Sequence, residues 1–89
     1  MPTLRQLIMK HASEKALSTV EDQLTQIRAL NLKEHSPGVF YLKSRPFLHF
    51  HEDPSGIYAD VRVDAEWERF AVADPSEWRK LLKRINDAL

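Results

Sequence analysis

The chain has no cysteine and only two glycines, Gly38 and Gly56, among its 89 residues. The first absence excludes a disulfide framework, a thiolate metal site and a cysteine nucleophile. The second excludes a phosphate-cradling loop, which needs glycines at set spacing so that backbone can approach the anion. Net charge is missing as well: 13 Lys and Arg balance 13 Asp and Glu, so no long-range field draws the molecule toward nucleic acid or an anionic membrane. No apolar run approaches the length of a membrane span, and MPTLRQLIMK is too polar and interrupted for a secretion signal. The expectation is a soluble, cytoplasmic protein that makes no use of a membrane.

What remains is a single domain over residues 1–89, small enough that one modest core must hold it. PTLRQLIMKHA reads as a helix, with Thr3 and Gln6 as a capping box and Leu4, Leu7 and Ile8 on one face. STVEDQLTQIRAL reads as a second, with Ser18 and Glu21 as its box and Leu17, Val20, Leu24 and Ile27 as its stripe. These are two helices meeting near Leu17 and Ser18, or one long bent helix, ended by Pro37 and Gly38. From Val39 the period changes to two. VFYLK, FLHFHE, IYADVRV and RFAVA are four strands, joined by SRP, DPSG and DAEW. DPSEWRKLLKRINDAL is a last helix, with Asp74 as N-cap, Pro75 at its first position, Glu77 completing a box, and Trp78, Leu81, Leu82, Ile85 and Leu89 as its stripe. The predicted fold class is α+β: an N-terminal helix or helix pair, a four-stranded antiparallel meander and a C-terminal helix, the helices packed on the sheet.

The hairpin FLHFHEDPSGIYADV can be registered by parity, because directly paired residues share a face. If Phe50 meets Ala59, then Leu48 meets Val61 and all four apolar side chains face the core. A slip of one residue exposes half of them, at roughly 1.5–3 kcal/mol each. The preferred register sets His51 opposite Tyr58, His49 opposite Asp60 and Phe47 opposite Arg62, with DPSG as a two- or four-residue loop built on a type I turn. Tyr41, Phe47, His49, His51, Tyr58, Asp60, Arg62, Trp67 and Arg69 then lie on or near the face away from the core. A solvated face is usually richer in Thr, Lys and Glu, so this one is expected to be covered.

Four uses of that face follow. His49 and His51 sit about 6–7 Å apart along one strand, and with Asp60 across the ladder they make a two-histidine, one-carboxylate set suited to Zn²⁺ or a similar ion. The plain alternative is a cross-strand His–Asp hydrogen bond beside a His–Tyr stack. His49 with Asp60 also resembles a general base and its orienting carboxylate, although no nucleophile stands at a recognisable elbow. Nucleic acid is disfavoured: Arg79, Lys80, Lys83 and Arg84 form a basic stripe on the last helix, but cations there also suit the helix dipole, and acidic residues crowd the sheet. A protein partner, or a second copy of the chain, best suits aromatics mixed with Arg and His. If the N-terminal helix folded over this face instead, His11 and His35 would join the hairpin histidines. No cofactor is called for.

FYLKSRPFLHFHEDPSGIYADVR resembles a motif of small uncharacterised bacterial α+β proteins, over residues 39–72. The layout is also remotely similar to MmcQ/YjbR-type proteins, in which helix, antiparallel sheet and helix recur around a G-K-x-F-A hairpin where this chain has S-R-P-F-L. Neither resemblance implies a reaction, since fold-level likeness does not transfer function. The expected function is a small binding domain using the outer sheet face, with a protein partner or as a homodimer, through Phe47, His49, His51, Tyr58, Asp60 and Arg62. The alternative is a ligand, metal or acid–base site centred on His49, His51 and Asp60.

Overall fold

A computed structural model describes residues 10–89. In chain order the elements are β1 (Lys10–His11), α1 (Glu14–Ser18), α2 (Glu21–Arg28), β2 (Lys33–Ser36), β3 (Val39–Leu42), β4 (Arg45–Asp53), β5 (Gly56–Val63), β6 (Glu66–Ala71) and α3 (Pro75–Ala88). The α+β class is as expected, but the meander β2-β3-β4-β5-β6 has five strands rather than four, and β1 pairs with β4 beside it. The extra meander strand, Lys-Glu-His-Ser, is exposed along most of its length and carries no apolar alternation to read. It is pinned through Glu34, whose carboxylate accepts from Arg28 Nε at 2.8 Å and from the Gly38 backbone N–H at 3.2 Å.

The hairpin takes the register that burial demands. Leu48 pairs with Val61 and Phe50 with Ala59, and none of the four is more than 1% exposed. The corner is the two-residue loop Pro54–Ser55, flanked by the Asp53–Gly56 pair and braced where Asp53 Oδ1 accepts from the Ser55 N–H at 2.8 Å. The turn before β4 is Lys43–Ser44, with Arg45 and Pro46 already in the strand, not the SRP read from sequence. Lys43 and Ser44 both have positive φ (52° and 68°), as do Asp64 and Ala65 (51° and 68°), the backbone that suits two-residue hairpins to strand twist.

β4 has nine residues, and β3 covers it only as far as His49. Phe50 is the point of transfer: its N–H donates to Gly38 O at 2.8 Å and its carbonyl accepts from Ala12 N–H at 3.1 Å. Beyond it the strand's backbone needs another partner, and β1 supplies one through the pairs His11–His51 and Lys10–Glu52. Lys10 and His11 are therefore strand, not the end of a helix. The remainder of that first helix reading lies outside the described residues.

The helix pair breaks at Thr19–Val20, and the expected Ser18–Glu21 box does not form. Ser18 lies in the last turn of α1 and its hydroxyl donates to Lys15 O, while α2 starts from Val20 without a side-chain cap. The working cap is Ser13, which accepts from Ala16 N–H at 3.1 Å. α2 ends at Arg28, so Pro37 and Gly38 turn β2 into β3 instead of closing a helix. Gly38 is required twice there: its φ is 75°, and a Cβ would stand 3.1 Å from Leu17 Cδ2. The stripe Leu17, Val20, Leu24 and Ile27 is buried as its spacing requires.

α3 follows its sequence signals except the box: the Asp74 N–H donates to Ala71 O at 3.3 Å and the Glu77 carboxylate meets Lys80 at 3.5 Å. Asp74 Oδ1 accepts from Ser76 and Glu77 N–H at 2.9 and 3.1 Å, and Trp78, Leu81 and Ile85 are buried while Leu89 stays 49% exposed. Trp78 Nε1 donates to Gln26 Oε1 at 3.1 Å, tying α3 to α2. One departure concerns Phe47. Phe40 pairs with Leu48 but Tyr41 with Pro46, so Phe47 is an extra residue in β4, a bulge of the kind that re-aims a side chain. It is 5% exposed and belongs to the core cluster rather than the outer face.

Phe50→Ala is expected to lower the unfolding free energy by about 3–5 kcal/mol. Gly38→Ala is expected to lower it by more than ~1 kcal/mol, because alanine resists the positive φ. Urea denaturation measures both, and a Gly38→Ala variant as stable as wild type would contradict the double role of that glycine.

Candidate functional site: an imidazole cluster on the outer sheet face

His11 and His51 are directly paired, so they share a face, and His49 stands on the same face two residues along β4. The three rings form a nearly equilateral group. Centroids are 5.7 Å apart for His11–His49, 5.5 Å for His11–His51 and 5.7 Å for His49–His51. From β6, Trp67 lays its indole against His49 at 4.6 Å while remaining 42% exposed. The fourth histidine goes elsewhere: His35 stacks on Tyr41 at 4.5 Å.

Asp60 lies among these rings, 6% exposed. Arg69 grips it in a fork, Nε to Oδ1 at 2.7 Å and Nη2 to Oδ2 at 2.8 Å, the bidentate geometry that makes such pairs strong. Its second neighbour is His51, whose Nε2 stands 3.2 Å from Oδ2. The backbone pair is His49–Asp60, as expected, but the carboxylate leans diagonally to His51. Burial alone would raise the Asp60 carboxyl; the Arg69 fork and the facing His51 outweigh it and hold the group far below the usual carboxylate range. His49 is pushed below the ordinary imidazole value, first by burial and then by the charges of His51 and His11, with Asp60 opposing. On the other side of the His51 ring, Nδ1 is buried and has no hydrogen-bond partner among the described residues.

The residues singled out by sequence divide accordingly. His49, His51 and Asp60 come together, Tyr58 is drawn away to Ser55 Oγ at 2.7 Å, and Arg62 sits opposite Trp67. Phe47 and Arg62 line an open cleft of about 550 Å³ against Arg84 of α3. Both Asp60 oxygens are engaged by Arg69, which leaves the carboxylate as an orienting group for His51 more than as a ligand. Among the described residues no group of three or more His, Asp or Glu is arranged, as the side chains stand, to hold a metal ion. The basic stripe of α3 is largely paired: Lys80 with Glu77 at 3.5 Å, Lys83 with Asp87 at 3.5 Å and Arg84 with Glu68 at 3.3 Å. No helix among the described residues is long and apolar enough to cross a membrane.

Two contributors carry a weak signal in the sequence. Trp67 reads as part of the face, and its opposition to Arg62 is the sign that it belongs to the site. His11 entered only conditionally, because a two-residue strand leaves no pattern. No family model matches the chain, and no curated protein or solved structure is significantly similar to it, so the functional reading rests on this geometry.

Because the folded state resists protonation of His49, stability is full above the ordinary imidazole value of about 6.5 and falls as pH drops through it. In His11→Ala, one neighbouring charge and some burial are gone, so the His49 midpoint should move up toward that value. Imidazole proton shifts followed by NMR check this, and an unmoved midpoint would contradict the coupling.

Proposed function

We propose that the chain is a small binding domain whose working surface is the outer face of its sheet, and that its partner is a protein, in the first instance a second copy of itself. The observation that carries this is Trp67, left 42% exposed while its ring lies tilted against His49 at 4.6 Å and the residue is paired across the ladder with Arg62. Tryptophan, arginine and histidine together are the composition of an interface centre, not of a solvated sheet. Zero net charge leaves two copies free of mutual repulsion at long range, and a two-fold pairing would set each patch against its own image. The internal neutralisation of Asp60 by the Arg69 guanidinium removes the buried charge that would otherwise oppose such docking.

A second reading, a ligand or metal site centred on His49 and His51, is favoured by one specific observation. His11 completes a three-imidazole cluster around a His51 whose Nδ1 is buried and unpartnered.

Sedimentation equilibrium over a range of concentrations tests the first reading. Wild type is expected to show a reversible dimer and Trp67→Ser a monomer, with stability changed by no more than about 1 kcal/mol, since the indole is largely outside the core. A wild type that stays monomeric at high concentration, or a Trp67→Ser variant that dimerises equally well, would overturn self-association.

A further inference from the structure

We infer that His11, His49 and His51 form a binding site for a transition metal ion of the Zn²⁺ or Ni²⁺ type, with Asp60 and Arg69 holding His51 in place. The inference rests on reading the outer sheet face as the working surface.

The spacing is the first argument. An imidazole nitrogen binds zinc at about 2.0–2.1 Å, which sets ligated ring centres ~3.2 Å from the ion and ~5 Å from one another at tetrahedral angles. The observed separations of 5.5, 5.7 and 5.7 Å are larger by about half an ångström. Ring movements of the same order close that gap. Donors are not gathered as the rings stand. His11 is exposed and His49 half-buried, so both rings have room to turn.

The second argument is the state of His51. Its Nε2 faces Asp60 Oδ2 at 3.2 Å, so the proton of a neutral ring sits on that nitrogen and Nδ1 carries a lone pair. That lone pair is buried and meets no donor among the described residues. A histidine with one nitrogen held by a carboxylate and the other bare is the arrangement by which proteins orient an imidazole toward a metal. Here the carboxylate is itself fixed by the Arg69 fork, which also cancels the arginine charge that would oppose a cation. A pairing role in the strands would not leave that nitrogen bare.

Three imidazoles and no cysteine suit Zn²⁺, Ni²⁺ or Cu²⁺ rather than a thiolate-seeking ion. A three-histidine set leaves the fourth position open to water or to a donor from a partner.

The test is calorimetric titration of the chelator-treated full chain with Zn²⁺ and with Ni²⁺, alongside NMR of the imidazole nitrogens. One ion per chain is expected, with the largest change at His51 Nδ1. His11→Ala, which removes an exposed side chain, should weaken binding at least 100-fold. Asp60→Asn should weaken it 10- to 100-fold, and His35→Ala should leave it unchanged. No saturable binding, equal binding by His11→Ala, or binding that leaves the three rings unperturbed would each overturn the site. Absence of metal binding by a chain that still dimerises through Trp67 would remove this inference alone, leaving the outer face as the working surface. Metal binding by a chain that remains monomeric would uphold the site and remove self-association.

Discussion

The pairing of Phe50 with Ala59 and Leu48 with Val61 is the constraint on which the rest of the molecule depends. Those four side chains are the centre of the core, against which α2 and α3 lay Leu24, Ile27, Leu81 and Ile85. A strand's side chains alternate, so once the even-numbered residues of β4 are committed inward, His49 and His51 must face outward. The same pairing brings Asp60 of β5 beside them and, through β6, Arg69 and Trp67. The outer face is thus a consequence of packing on the inner one.

What the packing does not dictate is chemistry, and there Asp60 is decisive. A carboxylate 6% exposed is tolerable only if its oxygens are satisfied, and the Arg69 fork does most of this. Having been neutralised from one side, the carboxylate still faces the His51 ring from the other and fixes which nitrogen of a neutral ring carries the proton. β1 adds His11 because β4 is longer than β3 and its free half needs a backbone partner. A fold requirement therefore delivers the third imidazole. Among the described residues, the indole of Trp67 and the bare nitrogen of His51 are features of this face that internal pairing leaves unexplained.

Much of this was legible in the residues themselves. Alternation set the hairpin register, and Asp74-Pro75 with its apolar stripe set α3, since both signals are local and repeat. Three features had no local signature. β2 is a polar edge strand whose order comes from Arg28 reaching Glu34, a contact between elements. The bulge at Phe47 arises from a mismatch between two strands and reverses the face that alternation assigns to that ring. β1 is too short to carry a pattern, so the site's third histidine could be named only conditionally. The partner of Asp60 was missed by one step for a geometric reason: side chains in a twisted sheet meet diagonally as well as across, and His51, not the directly opposed His49, receives the carboxylate.

Asp60 fixes the His51 ring with its proton on Nε2 and leaves Nδ1, among the described residues, without a partner. The most direct measurement is the ¹⁵N spectrum of the His51 ring in the metal-free protein, taken at a pH well above the ordinary imidazole range. A ring protonated at Nε2, with Nδ1 showing the shift of an unprotonated nitrogen, is the predicted result. A proton on Nδ1, or the averaged signal of two exchanging tautomers, would contradict it.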